Sequence, residues 1–146
     1  MAIEQPGKST SSTAMILQTK YQQVWQEKYF LVFRWLQTTD QMTAEQYTQE
    51  LKKAAEIIAK YKPANILLIS KDFNYVIPIN QFDEVNDILL PVYNSSGVKK
   101  LAVIEPENII VTLSMSKTID ETRPYRNFQT RYFSTEKEAR DWLSGK

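Results

Sequence analysis

The sequence predicts a mixed α/β fold: an antiparallel β-meander at its N-terminal end running into a series of βα units, with helices packed on the sheet. Three observations point there. Three short β-rich segments follow one another between Met15 and Gln37 with no helix-length gap between them. Thr43 then opens a helical stripe with its own cap. Beyond Pro63, continuous apolar runs bounded by turn residues alternate with helical patterns, the form taken by parallel strands covered on both faces.

Residues 1–13, MAIEQPGKSTSST, are polar and are expected to be a flexible tail ahead of a single domain over 14–146. The β-rich segments are MILQTKY, QVWQEKYF and LVFRWLQ. In the third, Leu31, Phe33 and Trp35 share one face of a strand, and Val32, Arg34 and Leu36 share the other. In Thr43-Ala44-Glu45-Gln46 the threonine oxygen can accept from a free amide while Gln46 reaches back. Tyr47, Leu51, Ala54, Ile58 and Tyr61 follow at helical spacing and should face the core. Glu50, Lys53, Glu56 and Lys60 mix both charges and read as the solvated face, and Pro63 stops the helix.

Asn65–Ser70 is then a buried strand, and a second helix is expected over about Ile79–Val92, ended by Asn94-Ser95-Ser96-Gly97. KLAVIE, from Lys100, is another buried strand. A short helix near Glu107–Ser116, a strand over Phe128–Phe133 and a helix over Thr135–Leu143 complete the order βββ-α-β-α-β-α-β-α.

Composition narrows the chemistry. The chain has no cysteine, which removes disulfides, thiolate nucleophiles and cysteine-ligated metals. It has no histidine, which removes the usual general base and the commonest zinc ligand. With three glycines far apart, no phosphate-cradling loop can be written. The net charge of +1 gives no long-range field for nucleic acid or acidic lipid, so no nucleic-acid partner is expected. No window has the length of a membrane span, the N-terminus lacks the apolar stretch of a signal peptide, and the cytoplasm is the expected compartment. No cofactor is called for.

Within ILLISKDFNYVIP, residues 66–78, an apolar strand stops at Ser70-Lys71-Asp72 and aromatics follow at Phe73 and Tyr75. Ligands of open α/β sheets bind beyond the carboxyl ends of the strands, so Ser70, Lys71, Asp72 and Tyr75 form a candidate binding or switch site. Asp72 can equally serve an Asx turn, and a serine with no base beside it is no nucleophile. Trp25, Tyr29, Arg34 and Trp35 concentrate aromatic and cationic character in the β region and are a candidate interface, unless a helix covers that side. TRPYRNFQTRYF, residues 122–133, interleaves arginines with aromatics, but lacks the glycines of an RNA-binding strand. Asp83 and Asp87 lie one helical turn apart and suit oxygen-ligated metals, or simply a solvated face.

The element order, the LLIS strand with its polar exit, the KKLAVIEPE strand and the ending RYFSTEKEARDWL together resemble the SpoIIAA-like fold of the STAS domains and of small bacterial proteins that share it. The resemblance runs from about residue 15 to residue 144. It implies a non-catalytic regulatory or protein-interaction module, with a protein partner or a second copy in a homodimer. In the regulatory members a serine just after a buried strand is phosphorylated by a partner kinase. Ser70 lies near the matching place, although Lys71-Asp72-Phe73 follow it where the family's switch has an Asp-Ser-Ser/Thr-like setting. Two other classes remain: a small-ligand or lipid-binding domain with an apolar pocket, and a hydrolase working with Asp and Glu alone.

Overall fold

A computed structural model describes residues 14–145; the expected tail at 1–13 lies outside them. One six-stranded sheet runs in the order β1 (Met15–Gln18), β2 (Gln22–Gln26), β3 (Leu31–Trp35), β4 (Asn65–Ile69), β5 (Lys100–Ile104) and β6 (Gln129–Phe133). The first three strands pair antiparallel, and β3 to β6 pair parallel. The helices are α1 (Ala44–Tyr61), α2 (Phe82–Ser95), α3 (Ile109–Asp120) and α4 (Glu136–Leu143). A mixed α/β sheet with an antiparallel leading edge is thus the observed fold, in the expected order.

Each parallel strand lies beside its predecessor and is reached through a helix. Successive right-handed crossovers in one direction along a sheet place every crossover helix on the same face. Burial separates accordingly. Phe33, Ile66, Leu101 and Val103 point to the face where Leu51, Ile58, Val85 and Met115 from α1, α2 and α3 pack. Val32, Leu67, Ile69, Ala102 and Ile104 alternate with them and point to the other face, where α4 contributes Ala139 and Leu143. A helix therefore covers Val32, which is fully buried.

Local signals explain the ends of the elements. The Thr43 hydroxyl accepts from the Gln46 amide at 3.1 Å, and the Gln46 side chain accepts from the Thr43 amide at 2.9 Å, so the capping box of α1 is formed. Lys62 closes α1 in the left-handed region at φ 48°, which puts Pro63 past the end of the helix. Gly97, at φ 86°, makes the turn after α2. Asn108 caps α3, its Oδ1 accepting from the amides of Ile110 and Val111.

Several expectations shift. A 3-10 turn over Gln37–Gln41 intervenes before α1, and a second, over Ile79–Gln81, delays α2 to Phe82. Capping by Asn108 moves α3 downstream, to end at Asp120. Glu50, read as part of the solvated face of α1, is only 4% exposed. Its carboxylate accepts from the Thr19 hydroxyl at 2.6 Å and the Gln22 side-chain amide at 2.9 Å, because the β1–β2 turn folds back over that flank of the helix. Tyr61, at the far end of the apolar stripe, is 40% exposed.

Candidate functional site

The four residues of the β4 exit do not converge. Ser70 extends the strand: its amide donates to the Ile104 carbonyl, and its carbonyl accepts from the Phe73 amide. Its side chain is fully buried, and Oγ has no hydrogen-bond partner among the described residues. A hydroxyl in that position meets no enzyme from solution unless the loop lifts away. Lys71 turns outward to Glu107 at 3.9 Å, an exposed pair of little energetic weight. Asp72 is half-buried. Tyr75 stacks on Tyr47 with ring centroids 4.6 Å apart and donates its hydroxyl to the Gln81 side chain.

Phe73 holds this loop down. It is 1% exposed and packs against Trp35 at 5.1 Å and Tyr47 at 5.8 Å. Burial, then the nearby Tyr75 and Tyr93, pushes the Tyr47 hydroxyl far above its ordinary pKa. Burial does the same to Tyr93. These hydroxyls are neutral donors or acceptors throughout the physiological range.

Trp25 and Trp35 are both buried, on opposite faces of the sheet, because adjacent strands present Trp25 with Val32 and Trp35 with Gln22. The Trp25 indole donates to Glu27 at 2.8 Å. Tyr29 is exposed in the β2–β3 turn, and Arg34 is half-buried on the α4 side. The four residues therefore do not make one surface.

What gathers at the carboxyl ends of the parallel strands is apolar. The Ile77 amide donates to the Ser114 hydroxyl at 3.1 Å, and the Glu107 amide donates to the Lys71 carbonyl at 3.2 Å. The β4 exit loop is thereby fastened to α3 and its approach. On these two segments Val76, Ile79, Ile109, Ile110 and Leu113 are exposed, Ile79 by 82% and Ile109 by 71%. Sequence reasoning missed them. The signal available was the run Ile109-Ile110-Val111-Thr112-Leu113, whose apolar residues go round the helix, whereas a one-sided stripe would bury them all.

Beneath α1, α2 and α3 the core is not filled. A cavity of about 80 Å³ lies between these helices and the sheet, walled by Phe33, Leu51, Leu89, Met115 and other apolar side chains. Tyr47 and Tyr93 also line it, and one part of its wall is made by Thr122, Phe128 and Thr130. In the arginine–aromatic stretch, Arg123 pairs with Asp120 at 3.2 Å, and Arg131 lies 5.5 Å from the rings of both Phe133 and Trp142. Asp83 and Asp87 are exposed on α2, and among the described residues no group of three or more acidic side chains is placed to hold a metal. Among the same residues no helix is long and apolar enough to cross a membrane.

One mixed sheet with three crossover helices on one face and a closing helix on the other defines a class of small α/β domain. A family model described as SpoIIAA-like matches residues 33–144, most of the chain, and the protein belongs to that family. The matched span begins within β3, so β1 and β2 stand outside it. No curated protein and no solved structure matches the chain.

Proposed function

We propose that the protein is a non-catalytic regulatory module that acts by protein contact, through the aliphatic surface at the carboxyl ends of its parallel strands. The observation that carries this reading is the exposure of Val76, Ile79, Ile109, Ile110 and Leu113 on two segments hydrogen-bonded to each other. Single apolar residues on a surface are ordinary, whereas a group on adjoining segments is the composition of an interface centre. Lys71, Asp72 and Glu107 stand close by and supply the polar rim such interfaces carry. Membership of the SpoIIAA-like family agrees with regulation by contact. So does a sequence without histidine or cysteine, which lacks the usual base and nucleophile.

The test is capture of partners from the protein's own cells, with wild type compared to the double variant Ile110→Glu, Leu113→Glu. Both sites are exposed, so the variant should fold, and it should lose the specific partner or, in sedimentation velocity, any self-association into a homodimer. An unchanged partner list and unchanged sedimentation for the double variant would sink the proposal.

A second reading is favoured by a separate observation, the apolar cavity under the three helices. Here the module takes up a small apolar ligand between sheet and helices, and the surface around α3 reports its occupancy.

A further inference from the structure

The Thr122–Phe128–Thr130 part of the cavity wall differs from the rest. Thr130 projects from β6 toward the helices, and its Oγ1 is buried with no hydrogen-bond partner among the described residues. Tyr132 lies two residues along the same strand face, and its hydroxyl is also buried and, among the described residues, unpartnered. Arg126 follows the turn after α3, its amide donating to the Thr122 carbonyl at 3.1 Å. Its guanidinium carbon lies 6.0 Å from the centre of the Phe128 ring, itself a cavity wall, and Nη1 is buried without a partner among the described residues.

Three buried donor groups thus lack acceptors among the described residues: Thr130 in the cavity wall, Arg126 beside the wall residue Phe128, and Tyr132, near enough to Arg126 for the two to interact electrostatically. Buried donors are ordinarily satisfied, so such a group calls for an explanation. The charge balance says what kind of acceptor fits. Asp120, a carboxylate whose charge acts on both Arg126 and Tyr132, is engaged by Arg123 at 3.2 Å. Burial, and then Arg123, lowers the Arg126 pKa, yet a guanidinium stays charged in proteins. Burial, then Asp120, pushes the Tyr132 hydroxyl up to about 12, so it remains a neutral donor. One guanidinium with two neutral hydroxyls matches a monoanion, and the planar fork of arginine matches a carboxylate.

We propose that the cavity takes the apolar tail of a small carboxylic acid whose carboxylate is held by Arg126, with Thr130 and Tyr132 as further donors. This rests on the second reading above, that the cavity is a ligand pocket. Its size sets the tail. At about 80 Å³ it is roughly half the volume of an engineered cavity that admits benzene, so it suits a short branched tail and not a long acyl chain.

The experiment is an NMR titration of the full chain, following the amides of Thr122, Phe128 and Thr130, with isovalerate, its neutral counterpart 3-methylbutanol, and acetate. Isovalerate should bind most tightly. Arg126→Gln should weaken isovalerate by about tenfold, or ~1.4 kcal/mol, and leave 3-methylbutanol unchanged. Thr130→Val, which keeps the shape and removes the donor, should weaken isovalerate by about threefold and keeps the proposal testable if Arg126→Gln does not fold. Equal binding of acid and alcohol, both indifferent to Arg126→Gln, would overturn the carboxylate assignment while leaving the ligand pocket standing. Acetate binding as tightly as isovalerate would overturn the role of the cavity. No binding by any of the three would overturn the pocket reading and this proposal with it.

Discussion

On the face of the sheet beneath α1, α2 and α3, a broad set of aliphatic and aromatic side chains packs around Trp35, Tyr47 and Phe73, and still encloses a cavity. On the opposite face, among the described residues, the eight-residue helix α4 packs on Val32, Leu67, Ala102 and Ile104. Cations finish the job there. Lys100 and Arg131 lie over Trp142, and Arg140 lies over Phe30 while bonding Glu27 and Glu136. The handedness of the crossovers explains the asymmetry in helices, because it sends every crossover helix to one face and leaves α4 as the helix of the other among the described residues. The well-supplied face has apolar material to spare for a cavity. The poorly supplied face is closed by side chains whose stems cover apolar surface while their charged heads reach water.

The largest expected effect lies where the aromatic cluster pins the β4 exit. Phe73→Ala should cost about 3–5 kcal/mol in urea unfolding, since it removes a buried ring beside Trp35, Tyr47 and Tyr75 and the site is too well walled to collapse. Native-state hydrogen exchange should show the loss first at Ser70 and Phe73, whose amides this loop protects. A cost below about 1 kcal/mol would mean that the helix-covered face tolerates loose packing even at its centre, and the contrast between the faces would fail.

A second expectation separates the faces by pH. Tyr47 and Tyr93 both belong to the three-helix face, and burial raises the pKa of each well above its ordinary value near 10. A phenol whose pKa is raised in the folded state stabilises that state below the unfolded pKa and loses the contribution as pH rises through it. Stability should therefore be flat on this account up to about pH 10 and then fall by ~1.4 kcal/mol per pH unit for each tyrosine that ionises only on unfolding. Tyr93→Phe should remove one of the contributions to that slope, about 1.4 kcal/mol per pH unit, while Tyr47, Tyr75 and Tyr132, whose pKa values are also raised, keep theirs. Urea midpoints measured between about pH 9 and pH 11.5 decide it, and an unchanged slope in Tyr93→Phe would place the alkaline sensitivity elsewhere.

The sheet was legible in the sequence because strand alternation and helical spacing are local patterns, readable without knowing what they pack against. Thr43 and Gln46 declared the start of α1 for the same reason. The misreadings share the opposite cause. Glu50 sits on the flank of a helical wheel, and only the return of Thr19 and Gln22 from a distant turn makes it a buried acceptor. Ser70 could be placed at a strand exit but not turned inward, since that depends on Phe73 closing over the loop. Trp25 and Trp35 lie ten residues apart, and strand pairing sends them to opposite faces. The cavity is a sum over many elements and has no sequence signature at all. The exposed aliphatics of α3 did have one, in a helix apolar all round.

The smallest expected effect tests the α4 face. Arg140 is where its electrostatics concentrate: burial alone would lower its pKa, but hydrogen bonds and charge from Glu27 and Glu136 more than offset this and raise it. Arg140→Met keeps an apolar stem over Phe30 and removes the charge, leaving Glu27 its bond from the Trp25 indole. The cost should be about 1 kcal/mol at low salt, since the pair is only partly screened from water. It should shrink as salt rises, because part of it is a Coulomb attraction that counterions weaken. A cost that does not change between about 0.05 and 1 M salt would assign Arg140 to packing alone, and the α4 face would then be held together by the same means as its opposite.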